Sequence, residues 1–141
     1  MYYYFKKTLF LFFLPAFLGL AGCGGDDPNL ENMSEQEIQA LFLGEWEETE
    51  RGNEEYSVLA TDGHTIEFSA DGIYLNSLSD VWRRYSLDSE FLYLDGGKAP
   101  DGHTYRHTFV GSRNKLRLDY VAGNRTAMKG TPTFRIYKRV K

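Results

Sequence analysis

Between residues 45 and 140 apolar and polar side chains alternate in short segments divided by residues suited to tight turns. The plainest case is Lys115-Leu116-Arg117-Leu118-Asp119-Tyr120, where Leu116, Leu118 and Tyr120 share one face of an extended strand and the charged residues share the other. Asp62-Gly63, Asp71-Gly72, Asp95-Gly96-Gly97, Asp101-Gly102 and Gly123-Asn124 punctuate the pattern, and each can supply the positive φ or tight geometry of a turn. Strands are predicted over 45–51, 55–60, 64–69, 73–77, 81–87, 91–94, 104–110, 115–121 and 133–140. Short strands joined in sequence predict an all-β fold: a small antiparallel up-and-down barrel of about eight strands, or a sandwich. Asp-Gly-His-Thr occurs twice, at 62–65 and 101–104, and reads as repeated turn chemistry, because the flanking residues diverge.

One segment carries the helical period instead. Ser34 and Glu37 have capping-box spacing, Ile38, Leu41 and Phe42 form an apolar stripe, and Gly44 can end the helix. A short helix over about 35–43 is expected, packed as a plug or strap over the β-structure.

Charge then bears on closure. Residues 23–80 hold 15 acids and a single base, Arg51, whereas residues 81–141 hold 5 acids and 13 bases, so the halves carry about −14 and +8. Such blocks attract when strands from the two halves lie side by side. In a closed up-and-down barrel of even strand number the first strand runs antiparallel to the last, which sets Glu45, Glu47, Glu48 and Glu50 beside Arg135, Lys138, Arg139 and Lys141. Each exposed cross-strand pair contributes only ~0.2–1 kcal/mol, so the pattern speaks to register and closure more than to stability. The competing reading is a bipolar surface that recruits a charged partner.

The longest apolar run lies outside this pattern. Lys6 and Lys7 precede Thr8–Leu20, a stretch interrupted by Pro15 and too short at 1.5 Å per helical residue to span a hydrocarbon core of about 30 Å. Leu20-Ala21-Gly22-Cys23 follows, and these four residues resemble the bacterial lipobox. The resemblance implies cleavage before Cys23 and a thioether-linked lipid on it, hence a membrane partner through the anchor. Cys23 is the only cysteine, so no intrachain disulfide can form. The expected organisation is a signal peptide at 1–22, a lipidated acidic linker at 23–33 and one β-barrel domain at 34–141. Gly24 is not the aspartate that resembles an inner-membrane retention signal, and Asp26-Asp27 looks like the acidic export tag of surface lipoproteins in some Gram-negative bacteria. The expected location is the outer membrane, with its outer face an option. The mature chain carries a formal charge of −6, which disfavours nonspecific nucleic-acid binding.

Gly44-Glu45-Trp46, after a short helix and at the start of the first strand, resembles the glycine-x-tryptophan signature of lipocalins. Phe68, Asp71-Gly72, Tyr74, Tyr85, Leu92 to Leu94, Leu116 to Leu118 and Tyr137-Lys138-Arg139 follow in an order similar to small bacterial lipocalin-like lipoproteins. The resemblance implies a tryptophan near the closed end under a late arginine, a role open to Arg135 or Arg139. The threonine-aspartate-tyrosine motif of that family is not evident.

Candidate catalytic chemistry is sparse, and no enzyme activity or cofactor is expected. Neither a Gly-x-Ser-x-Gly elbow nor a His-Glu-x-x-His pair is present. His103 and His107, four apart on a strand, are separated by about 13 Å, too far to share a metal. Glu47 and Glu48 point to opposite faces and read as a solvated acidic surface, as do Glu54 and Glu55. A binding cavity is the better reading, with Trp46, Phe68, Arg83, Tyr85, Tyr105, His107, Tyr120 and Phe134 as candidate lining for a small apolar or amphipathic ligand. Two other readings stay open: a barrel filled by these same aromatics, and recognition of an outer-membrane or extracellular protein through the turns at 95–103 and 122–132, where Lys98, Arg125 and Lys129 are basic. Cys23→Ser should leave the chain at its unprocessed mass and free of incorporated palmitate in metabolic labelling; a labelled, processed variant would remove the lipobox reading.

Overall fold

The computed structural model describes residues 29–78, 81–95, 102–111, 113–123 and 131–140. The leader, Cys23, Asp26 and Asp27, the basic residues Lys98, Arg125, Lys129 and Lys141, and the side chain of Val81 lie outside the described residues.

Nine strands alternate with the predicted turns: β1 (Gly44–Gly52), β2 (Ser57–Leu59), β3 (Thr65–Phe68), β4 (Ile73–Asn76), β5 (Val81–Leu87), β6 (Phe91–Leu94), β7 (His103–Phe109), β8 (Lys115–Gly123) and β9 (Phe134–Arg139). Every adjacent pair is antiparallel, and β1 also pairs with β9, so the sheet closes on itself. The barrel is eight-stranded because β2 and β3 occupy successive stretches of one edge of β1. Glu50 lies opposite Leu59 while Glu47 lies opposite Thr65, and the chain between bulges out at Asp62-Gly63, with Gly63 at φ 68. That Asp-Gly pair is therefore a break within one barrel position rather than a hairpin turn.

The charge blocks meet as the closed barrel requires. Glu47 faces Lys138 across β1 and β9, and the register slips between Glu48 and Glu50. Glu48, two residues after the buried Trp46, points into the barrel, where it is 1 % exposed, so it does not belong to the solvated acidic face, and the slip that follows it brings Arg51 to its side.

Helix α1 (Glu35–Phe42) starts at the capping box: the Glu37 N–H donates to Ser34 Oγ over 3.3 Å and the Ser34 N–H donates to Glu37 Oε2 over 2.8 Å. Gly44, at φ 110, turns the chain from the helix into β1. Ile38 and Phe42 are buried and plug one end of the barrel. The Phe42 ring meets Phe68, His107 and Phe109 edge-on, with centroids 5.3, 5.0 and 5.6 Å away. Trp46, fully buried, donates its indole N–H to the Phe42 carbonyl over 2.8 Å. Arg139 stacks 4.2 Å over the Trp46 ring and donates to the carbonyls of Leu41 and Leu43 at the end of the helix. Of the two arginines proposed for this place, Arg139 fills it.

Every element and core side chain described lies between Leu30 and Arg139, so a chain beginning at Gly24 would keep every described element of the closed sheet. Phe42→Ala should cost about 3–5 kcal/mol of unfolding free energy in guanidinium titrations, because the plug loses its central ring. A loss below about 1 kcal/mol would mean that the helix does not seal the core.

Candidate functional site

The barrel interior divides along its axis. At the helix end, Phe42, Trp46, Phe68, His107, Phe109 and Leu116 fill the space. At the other end lies a cavity of about 270 Å³. Inward positions of β4, β6, β7, β8 and β9 supply its apolar and aromatic wall, including Leu92, Leu94, Tyr105, Leu118, Tyr120 and Phe134. Polar groups converge there too: His64, Tyr74, Asn76, His103, Arg135 and Tyr137.

Of the candidate lining residues, Tyr105, Tyr120 and Phe134 reach this cavity. Tyr105 and Tyr120 pack edge-on at 5.8 Å, and Arg117 sits 4.2 Å over the Phe134 ring. Trp46, Phe68 and His107 lie in the filled end, and Tyr85 joins them, its ring 5.1 Å from Phe68 and its hydroxyl donating to the Ser69 carbonyl over 2.7 Å. Arg83 is half-buried opposite Tyr74 and pairs with Asp95 at 3.0 Å. His103 and His107 serve the two different ends of β7. Among the described residues no group of three His, Cys, Asp or Glu side chains is placed to hold a metal ion.

The polar core of the site is an ion cluster centred on Glu48. Arg135 donates Nη1 to both carboxylate oxygens at 2.8 Å, Arg51 places Nε 3.2 Å from Oε1, and His64 bonds Oε2 through Nδ1. Arg51 also pairs with Asp62 across the bulge. A carboxylate offers about four acceptor sites, so Glu48 is saturated and its burial is compensated. Beyond His64, Nε2 lies 2.9 Å from Asn76 Oδ1, and Asn76 Nδ2 donates to the Tyr74 hydroxyl over 3.3 Å. Burial raises the pKa of the Tyr74 and Tyr137 hydroxyls well above the ordinary tyrosine value, which keeps both as neutral hydrogen-bonding groups.

Sequence reasoning set Arg135 beside the first strand but not in the cavity, and it passed over His64 and His103, for which the overlooked signal was the Asp-Gly-His-Thr repeat. Its first copy bulges the sheet and delivers His64 to the cavity; its second delivers His103, which packs against Tyr105 and Tyr120 with centroids 6.3 and 6.2 Å away.

No protein-family model, curated protein or solved structure matches the chain. The fold thus stands on its own topology, a closed eight-stranded antiparallel barrel with one short helix, compatible with a lipocalin-like build.

His107 carries a pH signature. Its Nε2–H donates to the Asp88 carbonyl over 2.8 Å, and Nδ1 is buried with no hydrogen-bond partner among the described residues. Burial lowers its pKa below the ordinary 6.5, the nearby Asp88 and Glu90 opposing more weakly. Below pH 6.5 the unfolded chain therefore binds a proton that the folded barrel refuses, and stability falls until the lowered folded pKa is passed. Urea titrations should show this loss starting above the carboxylate range of about pH 4, and His107→Leu should flatten it. An unchanged slope in that variant would place the titration elsewhere.

Proposed function

We propose that this chain is a lipid-anchored, lipocalin-like envelope protein that binds a compact amphipathic molecule at the open end of its barrel. The half-filled interior carries the reading: the helix end is packed solid, while the other end keeps about 270 Å³ lined by tyrosines, leucines and a few convergent polar groups. Binding sites for small molecules are built this way, apolar walls with a small number of placed polar groups. The volume lies just below the ~300–1,000 Å³ common for drug-sized ligands, which favours a single ring system or short chain over a long lipid. The proposed role is binding rather than catalysis. Lipidation at Cys23 and an outer-membrane address from Asp26-Asp27 rest on the sequence pattern.

A protein-recognition role draws support from a different surface. Leu75 and Trp82 face each other on the outside of β4 and β5, and Trp82 is 60 % exposed. The two form an exposed apolar outer pair of the kind that marks contact sites. The charge asymmetry counts for less in this reading, because Glu48 and Glu47 have basic neighbours on β9, the first inside the barrel and the second on its outer face.

Phenylnaphthylamine, whose fluorescence rises in apolar surroundings, tests the cavity. The barrel domain should bind it saturably at one site, and Thr133→Trp, a bulky ring on the exposed rim, should weaken binding about tenfold or more. A linear, unsaturable response, or equal binding in the variant, would exclude the cavity as the site.

A further inference from the structure

The hydrogen bonds around His64 fix more than its position. Asn76 Oδ1 accepts the backbone N–H of Leu78 over 3.0 Å, and a backbone N–H can only donate, so the atom facing it is the amide oxygen. His64 Nε2 lies 2.9 Å from that same oxygen and must therefore donate to it. On the other side, Nδ1 faces the Glu48 carboxylate, again an acceptor only. Both ring nitrogens are called on as donors, which is the hydrogen-bonding pattern of an imidazolium.

The charges lining the cavity follow. Arg135 and His64 both reach it, whereas Glu48 sits behind them and does not. Among the described residues no aspartate or glutamate lines the cavity, although the chain holds 20 acids against 16 bases. Arg51, the third group on Glu48, is answered by Asp62, so Arg135 and His64 are left to share the one buried anion, and the surplus positive charge faces the open space. Glu48 draws only Nη1 of the guanidinium, and no other carboxylate bonds Arg135 among the described residues. Arg117, the other arginine near the wall, gives its charge to Asp119 at 2.7 Å.

We propose that the cavity selects an amphipathic anion, a compact apolar body carrying one carboxylate, sulfonate or phosphate group, with Arg135 as the contacting cation and His64 as its electrostatic support. This rests on the cavity reading above and adds the charge of the ligand to it. An anion beside a fixed guanidinium in a partly desolvated site gains a charge-assisted hydrogen bond that a neutral isostere cannot make. Tyr105, Tyr120 and Phe134 supply ring faces for the apolar body.

The test compares two probes with the same ring frame, anilinonaphthalenesulfonate and the uncharged phenylnaphthylamine, on the barrel domain from Gly24 onward. The expected result is saturable binding of both, with the sulfonate bound about tenfold more tightly. His64→Gln keeps an N–H donor toward Glu48 and removes the ring's charge, and Arg135→Gln does the same for the guanidinium. Each should bring the two probes to within about twofold of each other while phenylnaphthylamine binding holds, with circular dichroism reporting a folded barrel. Should Arg135→Gln fail to fold, the unaltered domain and His64→Gln decide. Equal binding of the two probes to the unaltered domain overturns the anion selectivity and leaves the cavity standing, and a sulfonate preference that survives His64→Gln overturns the part given to His64. Failure of both probes to saturate overturns the two readings together.

Discussion

The structure depends on one buried carboxylate. An ionised side chain inside a barrel costs several kcal/mol unless its acceptor sites are filled, and Glu48 has them filled from three directions. Arg51 comes from its own strand, His64 from the bulged edge and Arg135 from the last strand. The three local departures from regular sheet meet at this point: the slip of β1 against β9 beside Glu48, the offset between β2 and β3, and the turn of the chain at Asp62-Gly63. His64 continues the β1–β3 register opposite Glu48, whose backbone N–H donates to the His64 carbonyl over 2.8 Å. The slip after Glu48 adds Arg51 to a cluster that regular register has already assembled from Glu48, His64 and Arg135, and the shared charge spans the closing pair of strands.

Closure and filling are separate problems, and the chain solves them with different chemistry. Ionic contacts set the register where β1 meets β9. Aromatic packing fills the helix end, where Phe42 stands among Phe68, His107 and Phe109 and a short helix fastened by Trp46 and Arg139 caps the opening. The helix comes before the barrel in the chain and folds back over only one end. The far end receives side chains from the strands and from the connections beside them, such as His64, Leu78 and Thr133, and these do not close it.

The period of two was plain enough in the sequence to place all nine strands, because most have an inward apolar row and are bounded by turn residues, although β2 is exposed along its length and the connections at 77–80 and 88–90 hold no glycine. Opposite charge in the two halves also pointed correctly to a closed barrel. Depth along the barrel was not legible. Alternation says which face a residue takes, but not whether that face meets the plug or the open end. Trp46, Phe68, Tyr85 and His107 therefore shared a face pattern with Tyr105 and Tyr120 yet fill the other end. Glu48 was misread for a different reason: two residues after Trp46, it takes the inward face by plain alternation, but among Glu45, Glu47 and Glu50 it looks like one more solvated acid, and two of the groups that answer it, His64 and Arg135, come from elsewhere in the chain.

Joining closure and cavity in one cluster ties stability to occupancy. Arg135 holds the last strand to the first through Glu48 and also borders the open space. An occupant that brings an anion to this arginine binds the closed barrel and not the unfolded chain, so it stabilises the fold by mass action, by about 2.7 kcal/mol at a hundredfold excess over its dissociation constant. The same geometry limits what enters. A cationic occupant would meet Arg135 and His64 with no carboxylate among the described lining residues to answer it, and a purely apolar one would leave those donors desolvated without acceptors. The buried carboxylate that closes the barrel therefore shapes the selectivity of its mouth, by holding two cations in place while neutralising the charge of only one.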